Sequence, residues 1–192
     1  MKSRIRQALI TVTAATGFLM SAPSQATDLN YNFIEGGYVF NADAGVDGDG
    51  FRLRGSVEIA PQIVLMGEMF NLSFDNGGSI KGLMGGAGYL IRYDQQFDLL
   101  GSFELGNLKA RGPNPNLPTL DETGFRIGLG VRGVLAPQVE GFGRFVYENF
   151  DTSDTYLEIG GFYHVNQQFR VGGSLQFGGD LDMMTISARY SF

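Results

Sequence analysis

The side chains best suited to chemistry are few and scattered along the chain. The single histidine is His164. An imidazole serves as a general base when a hydroxyl and a carboxylate lie beside it. Glu158 and Ser174 are candidate neighbours, on separate runs whose mutual register the sequence leaves open. Oxygen ligands cluster elsewhere, in Asp43-x-x-x-Asp47-Gly48-Asp49-Gly50. They would suit a hard cation such as Ca²⁺. The stretch lacks the twelve-residue spacing and closing Glu of an EF-hand. Asp and Gly are also ordinary turn formers. A third set is larger. Eight Arg (52, 54, 92, 126, 132, 144, 170, 189) and eight acids (Glu35, Glu58, Glu68, Asp98, Glu104, Glu140, Glu148, Glu158) sit at alternating positions, and none of these bases is Lys. Arg suits confined, multiply hydrogen-bonded ion pairs, whereas Lys is the usual solvated cation. The expectation is therefore structural: no catalytic, cofactor-binding or metal residues, with His164 as a hydrogen-bonding partner inside the fold.

Those charges need strands to position them. Alternation with a period of two runs through most of the chain. In 51–59, Phe51, Leu53, Gly55, Val57 and Ile59 oppose Arg52, Arg54, Ser56 and Glu58. The same contrast recurs in 125–135, 139–148, 157–165 and 169–177. Short polar turns punctuate it: Ala60-Pro61-Gln62, Asp94-Gln95-Gln96, Ala136-Pro137-Gln138 and Asn166-Gln167-Gln168. Their near-identity is a weak internal repeat. Longer Asp- and Gly-rich segments lie between them, at 41–49, 71–79, 107–122, 151–155 and 178–182. The pattern predicts ten strands: 29–40, 50–60, 63–70, 80–93, 97–106, 123–135, 139–150, 156–165, 169–177 and 183–192. Eight is the runner-up, because the first and third runs alternate less cleanly. The fold class is all-β, a closed antiparallel up-and-down transmembrane barrel, with short turns at one end and longer loops at the other.

Alternation alone does not say which face is inside. A soluble lipocalin-like barrel would carry the same pattern inverted. Three features favour a polar interior. The charged face is rich in glycine, including Gly86, Gly88, Gly128, Gly130, Gly160 and Gly172. A narrow lumen needs small residues beside large ones. That face is also charge-balanced and free of Lys. In the first run, Glu35 facing inward takes Tyr31 and Phe33 with it and leaves Ile34, Tyr38 and Phe40 outside. A bulge at Gly36-Gly37 would switch that parity.

Residues 1–26 read as a secretory signal peptide: Lys2, Arg4 and Arg6, an apolar stretch from Ala8 to Met20, and Ser24-Gln25-Ala26 as cleavage site. The apolar run is shorter than the roughly 20 residues a helical span needs. The mature barrel domain is expected at 27–192. The 192-residue chain has no Cys, which removes disulfides and thiolate metal sites, and its net charge of −6 argues against a nucleic-acid partner.

From Met184 the last run alternates to its end at Phe192. A terminal aromatic on such a strand resembles the assembly signal of Gram-negative outer-membrane barrels. The whole chain is similar to small OmpA/OmpX-type barrels. Asn30-Tyr31-Asn32-Phe33-Ile34-Glu35-Gly36-Gly37-Tyr38 and Asp47-Gly48-Asp49-Gly50-Phe51 resemble the opening of a family of small proteobacterial proteins. Its members were once proposed as secreted activators of a rice immune receptor and are linked to quorum sensing and biofilm formation. The resemblance implies no catalytic residues. It implies the lipid bilayer of the outer membrane as surroundings and the barrel-assembly machinery as a partner through the strand ending in Phe192. Some small outer-membrane barrels are lipid A deacylases, palmitoyl transferases or omptin proteases. Their catalytic residues lie near the extracellular rim, whereas His164 lies two residues before a short turn. The reading is thus a non-enzymatic, porin-like barrel of the cell envelope with a structural, surface-interaction or adhesion role. A narrow pore is the first alternative and an envelope enzyme the second. The stretch Arg111 to Pro118, stiffened by proline, makes loop 107–122 the candidate surface for an extracellular partner.

Overall fold

The structure, a computed structural model, describes residues 29–93, 96–114, 116 and 118–192. The signal peptide lies outside the described residues, as do Asp94 and Gln95 of the second turn. Ten strands follow in order: β1 Phe33–Asp43, β2 Asp47–Ala60, β3 Ile63–Phe74, β4 Ser79–Arg92, β5 Phe97–Arg111, β6 Leu120–Ala136, β7 Val139–Asn149, β8 Ser153–His164, β9 Phe169–Phe177 and β10 Asp182–Ser191. Each pairs antiparallel with its neighbours in sequence, and β1 pairs with β10, which closes the barrel. Closure leaves no free edge, so the backbone groups of the ladder pair strand to strand rather than with water. Ten strands is the predicted number; their bounds differ chiefly at the loop end, and β1 begins at Phe33 rather than at 29. The paired ladder takes in Asp43, 47–49, 71–74, 107–111 and 120–122. There the outward positions turn polar, as at Asp47, Asp49, Asn71, Ser73 and Lys109, while Leu72 and Leu108 face an apolar interior, so the contrast of apolar outside and polar inside is lost while backbone pairing continues.

The four short turns share one device. The carbonyl of each closing Gln accepts a backbone N–H from further along the chain: Leu90 on Gln62, Val134 on Gln96, His164 on Gln138 and Ser191 on Gln168, at 2.8–2.9 Å. The two Ala-Pro-Gln turns match further. Gln62 and Gln138 both adopt positive φ, 76° and 66°. A register shift sits beside each, at Glu58/Ala60 and Val134/Ala136. Tyr89 donates its hydroxyl to Gln62 Oε1 and Tyr163 to Gln138 Oε1, both at 3.0 Å. The sequence repeat is therefore a repeated solution to one tight connection.

The faces fall as the polar-interior reading requires. Phe51, Leu83, Leu129, Phe145 and Ile186 are exposed on the outside, where hydrocarbon would cover them. Arg52, Arg126, Arg132, Arg170 and Arg189 are buried inside. In β1, Glu35 points inward, as does Tyr31 just before the strand, and Ile34, Tyr38 and Phe40 point outward. Parity runs unbroken through Gly36-Gly37. It switches at Phe40-Asn41, where the register shifts against both β2 and β10. That bulge puts both Val39 and Ala42 inside, each wholly buried, and accounts for the uneven alternation of the first run.

Candidate functional site

The candidate site is the lumen, where ion pairs form two layers. Glu140 on β7 is the hub of the layer nearer the short turns, and it is wholly buried. Its Oε1 accepts Arg132 Nε at 2.6 Å and Arg189 Nη1 at 3.1 Å. Its Oε2 accepts Arg132 Nη2 at 2.8 Å and Arg170 Nη1 at 2.9 Å. His164 Nε2 lies 3.5 Å from that same oxygen. Five consecutive strands, β6 to β10, thus converge on one carboxylate. Arg189 also donates Nε and Nη2 to Glu35 Oε2 at 3.0 and 2.8 Å. Its guanidinium lies 3.9 Å from the ring centroid of Phe162 and 4.1 Å from that of Phe33, so its faces meet π-systems while its edges meet carboxylates.

The layer nearer the loops spans the barrel. Arg52 and Arg54 on β2 reach Glu158 on β8, on the far side of the ring, at 3.0 and 2.6 Å. Both also bind Glu68 Oε2 at 2.9 Å. Arg126 joins Glu68 Oε1 at 3.3 Å and Glu148 Oε2 at 3.0 Å. Arg144 binds Glu104 and, at 3.0 Å, Ser102 Oγ. Gly128 makes room for that arm: a Cβ there would sit 2.7 Å from both Arg144 Nε and Ser102 Oγ. Arg92 and Glu58 pair at 2.7 Å at the turn-side rim, where Arg92 is half-exposed. Arg52, Arg54, Arg126 and Arg144 balance Glu68, Glu104, Glu148 and Glu158. Arg92, Arg132, Arg170 and Arg189 balance Glu35, Glu58, Asp98 and Glu140. Each layer carries as many acids as bases, so neither leaves a large uncompensated charge in a confined space.

Little space remains between them. A cavity of about 140 Å³ touches Arg54, Glu68, Glu158, Arg132 and Arg189, and the stacked rings of Phe142 and Phe162, 6.0 Å apart, occupy the lumen beside it. The arrangement can hold strands together and obstruct passage.

The other candidates separate. His164 faces Arg170 across the ladder, whereas Glu158 faces Gln176 and Ser174 faces Gly160. Neither Glu158 nor Ser174 neighbours the imidazole, and no nucleophile–base pair forms there. Asp43 and Asp47 are cross-strand partners. Asp43 Oδ1 accepts Gly45 N at 2.8 Å and Asp49 Oδ2 accepts the Tyr38 hydroxyl at 2.6 Å. Among the described residues no three His or acidic side chains gather closely enough to hold a metal ion. Half of loop 107–122 is strand, and the connection shrinks to 112–119. Asn107 Nδ2 and Lys109 Nζ bind Asp121 at 2.6 and 2.9 Å. They hold that exposed carboxyl below the usual carboxylate range, the Asn107 hydrogen bond most strongly.

Sequence reasoning missed one interior region. At the loop end the inner face turns apolar: Val39, Ala42, Phe70, Leu72, Met84 and Met183 form a buried cluster. The signal was the untidy third run. In β3, Val64, Met66, Phe70 and Leu72 point inward around Glu68 while Leu65 and Met69 point out, so both faces are apolar and the contrast is lost.

Fold and lumen together define a small transmembrane β-barrel, apolar outside and ion-paired inside. No family model matches the chain, and no curated protein does. Among solved structures it is similar to the KdgM porin in complex with disordered oligogalacturonate, at 13% identity and TM-score 0.49, covering 83% of this chain and 99% of that one. It is also similar to Ail, the attachment invasion locus protein of Yersinia pestis, at 15% identity and TM-score 0.48, covering 86% and 99%. Neisserial surface protein A (NspA) stands at 10% identity and TM-score 0.48, covering 83% and 96%. Likenesses at this level bear on neither ligand nor partner.

Proposed function

We propose that the protein is a non-enzymatic resident of a Gram-negative outer membrane, with a closed lumen and a working surface at its loop end. The observation that carries the closed lumen is the pair of neutral ion-pair layers, one of which ties β2 to β8 across the barrel. An apolar exterior and a signal-like N-terminus support the membrane reading, and the isolation of His164 from Ser174 supports a non-catalytic one. The role this leaves is envelope structure or surface interaction. The resemblance of the opening hairpin to the proteobacterial family fits a surface role, with the connection 112–119 as the segment offered to an extracellular partner.

Liposome swelling tests closure. Vesicles containing the protein should swell in small sugars no faster than empty ones, and faster swelling would move the reading to a narrow pore. The absence of Cys makes a second test clean. A cysteine at Asn116 should react with an impermeant maleimide on intact cells, and one at Gln138 only after lysis; the reverse would invert the barrel. Assembly is read through Phe192, which is exposed and anchored by its main chain, its N–H to Asn32 O at 3.1 Å and its carbonyl to Asn30 Nδ2 at 3.3 Å. Phe192→Ala should lower the folded, membrane-inserted level while leaving the lumen contacts intact. Wild-type levels would remove the assembly-signal reading.

A further inference from the structure

Above the charged layers the lumen opens into a cup of about 350 Å³ at the loop end. Phe70, Ile80, Leu108, Phe150, Leu181 and Met183 make its apolar wall. Five carboxylates line it as well, Glu68, Glu122, Glu148, Asp154 and Asp180, against a single guanidinium among the described residues, Arg126. That guanidinium is spent: its donors go to Glu68 and Glu148. It binds Glu148 through Oε2 alone. Gln176 also lines the cup. It is 7% exposed, its Nε2 donates to Leu181 O at 3.2 Å, and its Oε1 accepts from no donor. A buried acceptor without a donor is costly, so the site is short of hydrogen-bond donors. Tyr156 lines the same space, with the Arg126 guanidinium already 5.8 Å from its ring centroid.

We propose that this cup binds a small organic cation, an ammonium group carried on an aliphatic or aromatic body. Each part of such a ligand meets a matching part of the cup. The body buries against the apolar wall. The ammonium supplies the donors that Gln176 Oε1 and Glu148 Oε1 lack. A fatty acid or other anionic amphiphile would meet five carboxylates. A plain hydrocarbon would strip water from those carboxylates and return no charge. The volume lies at the lower end of the range for small-molecule sites. The proposal does not depend on whether the lumen conducts, so its failure and that of the closed-lumen reading are separable.

Tryptamine is a suitable probe, because the chain contains no Trp and indole emission then reports the ligand. With the protein reconstituted in phosphatidylcholine vesicles, the emission should shift to the blue saturably, beyond the change seen in protein-free vesicles. Indole-3-propionate, the same ring on a carboxylate, should give no saturable shift. The neutral 3-ethylindole should bind at least about tenfold more weakly, as expected for loss of a charged hydrogen bond. Glu148→Gln and Gln176→Leu are compared as folded species, judged by heat-modifiable electrophoretic mobility. A weakened tryptamine titration in either, by about tenfold for the charge loss at Glu148, supports the site, and Gln176→Leu decides alone if Glu148→Gln does not fold. Overturning results are no saturable shift with tryptamine, equal binding of the carboxylate analogue, or wild-type affinity in every folded variant.

Discussion

Glu140 and Leu72 are both wholly buried and both point into the barrel, yet their surroundings have nothing in common. Glu140 is held by three guanidiniums from three strands. Leu72 packs with Phe70, Met84 and Val39. The difference separates two ways of filling an interior. Long charged arms reach across the lumen, meet partners from the opposite wall and close it. Shorter apolar side chains reach only nearby strands, line the wall and leave a cup. An inward position in a barrel of this size is therefore not one environment.

The comparison breaks most sharply at Glu140. Glu140→Gln should take the shared carboxylate from three buried guanidiniums, leaving Arg189 with Glu35 and Arg132 with the Asn30 carbonyl, and lower the unfolding free energy in lipid vesicles by about 3–5 kcal/mol. A variant within about 1 kcal/mol of wild type would mean the midsection is wet enough to solvate them. The outer belt supplies the next scale. Leu129 is exposed and faces outward at mid-strand. Leu129→Arg should cost about 2–4 kcal/mol in the same assay, if the position lies near the bilayer midplane. A mild effect would displace the apolar belt from the hydrocarbon. In the apolar mouth the expectation is tolerance. Met183→Leu nearly conserves volume and should cost less than about 1.5 kcal/mol, and a loss exceeding that of Glu140→Gln would reverse the contrast between the two regions. The smallest effect is assigned to the rim. Arg92 is half-exposed in its pair with Glu58. Arg92→Met should change stability by about 0–1 kcal/mol, the ordinary worth of a solvated pair, and a larger loss would place the rim inside the closed network.

What was legible in the sequence follows from the same physics. Strand number and face assignment showed because hydrocarbon outside and charge inside impose a contrast at every second residue, clearest where Arg126 and Arg132 alternate with Ile127, Leu129 and Val131. The sixteen interior charges showed because Arg and acids alternate with apolar residues. Their pairing did not. Arg54 and Glu158 are 104 positions apart, and only barrel closure brings β2 and β8 to face one another. The bulge at Phe40-Asn41 was invisible for a related reason: a parity switch is a property of the ladder, and the Gly36-Gly37 pair offered a more conspicuous but wrong place for it. The cup was hidden because β3 is apolar on both faces up to Phe70, and beyond it the contrast inverts, with Leu72 and Phe74 inward and Asn71 and Ser73 outward. The loops were drawn too long, since Asn107, Lys109 and Asp121 pair across strands whose faces no longer differ.

The central claim is that paired side chains close the lumen. Single-channel recording of the wild-type protein in planar bilayers tests it most directly. The account predicts a silent protein, with no discrete conductance steps in preparations whose folded state is verified by heat-modifiable mobility. Regular, reproducible steps from that folded protein would contradict it, and would turn the two charged layers from a plug into the selectivity lining of a pore.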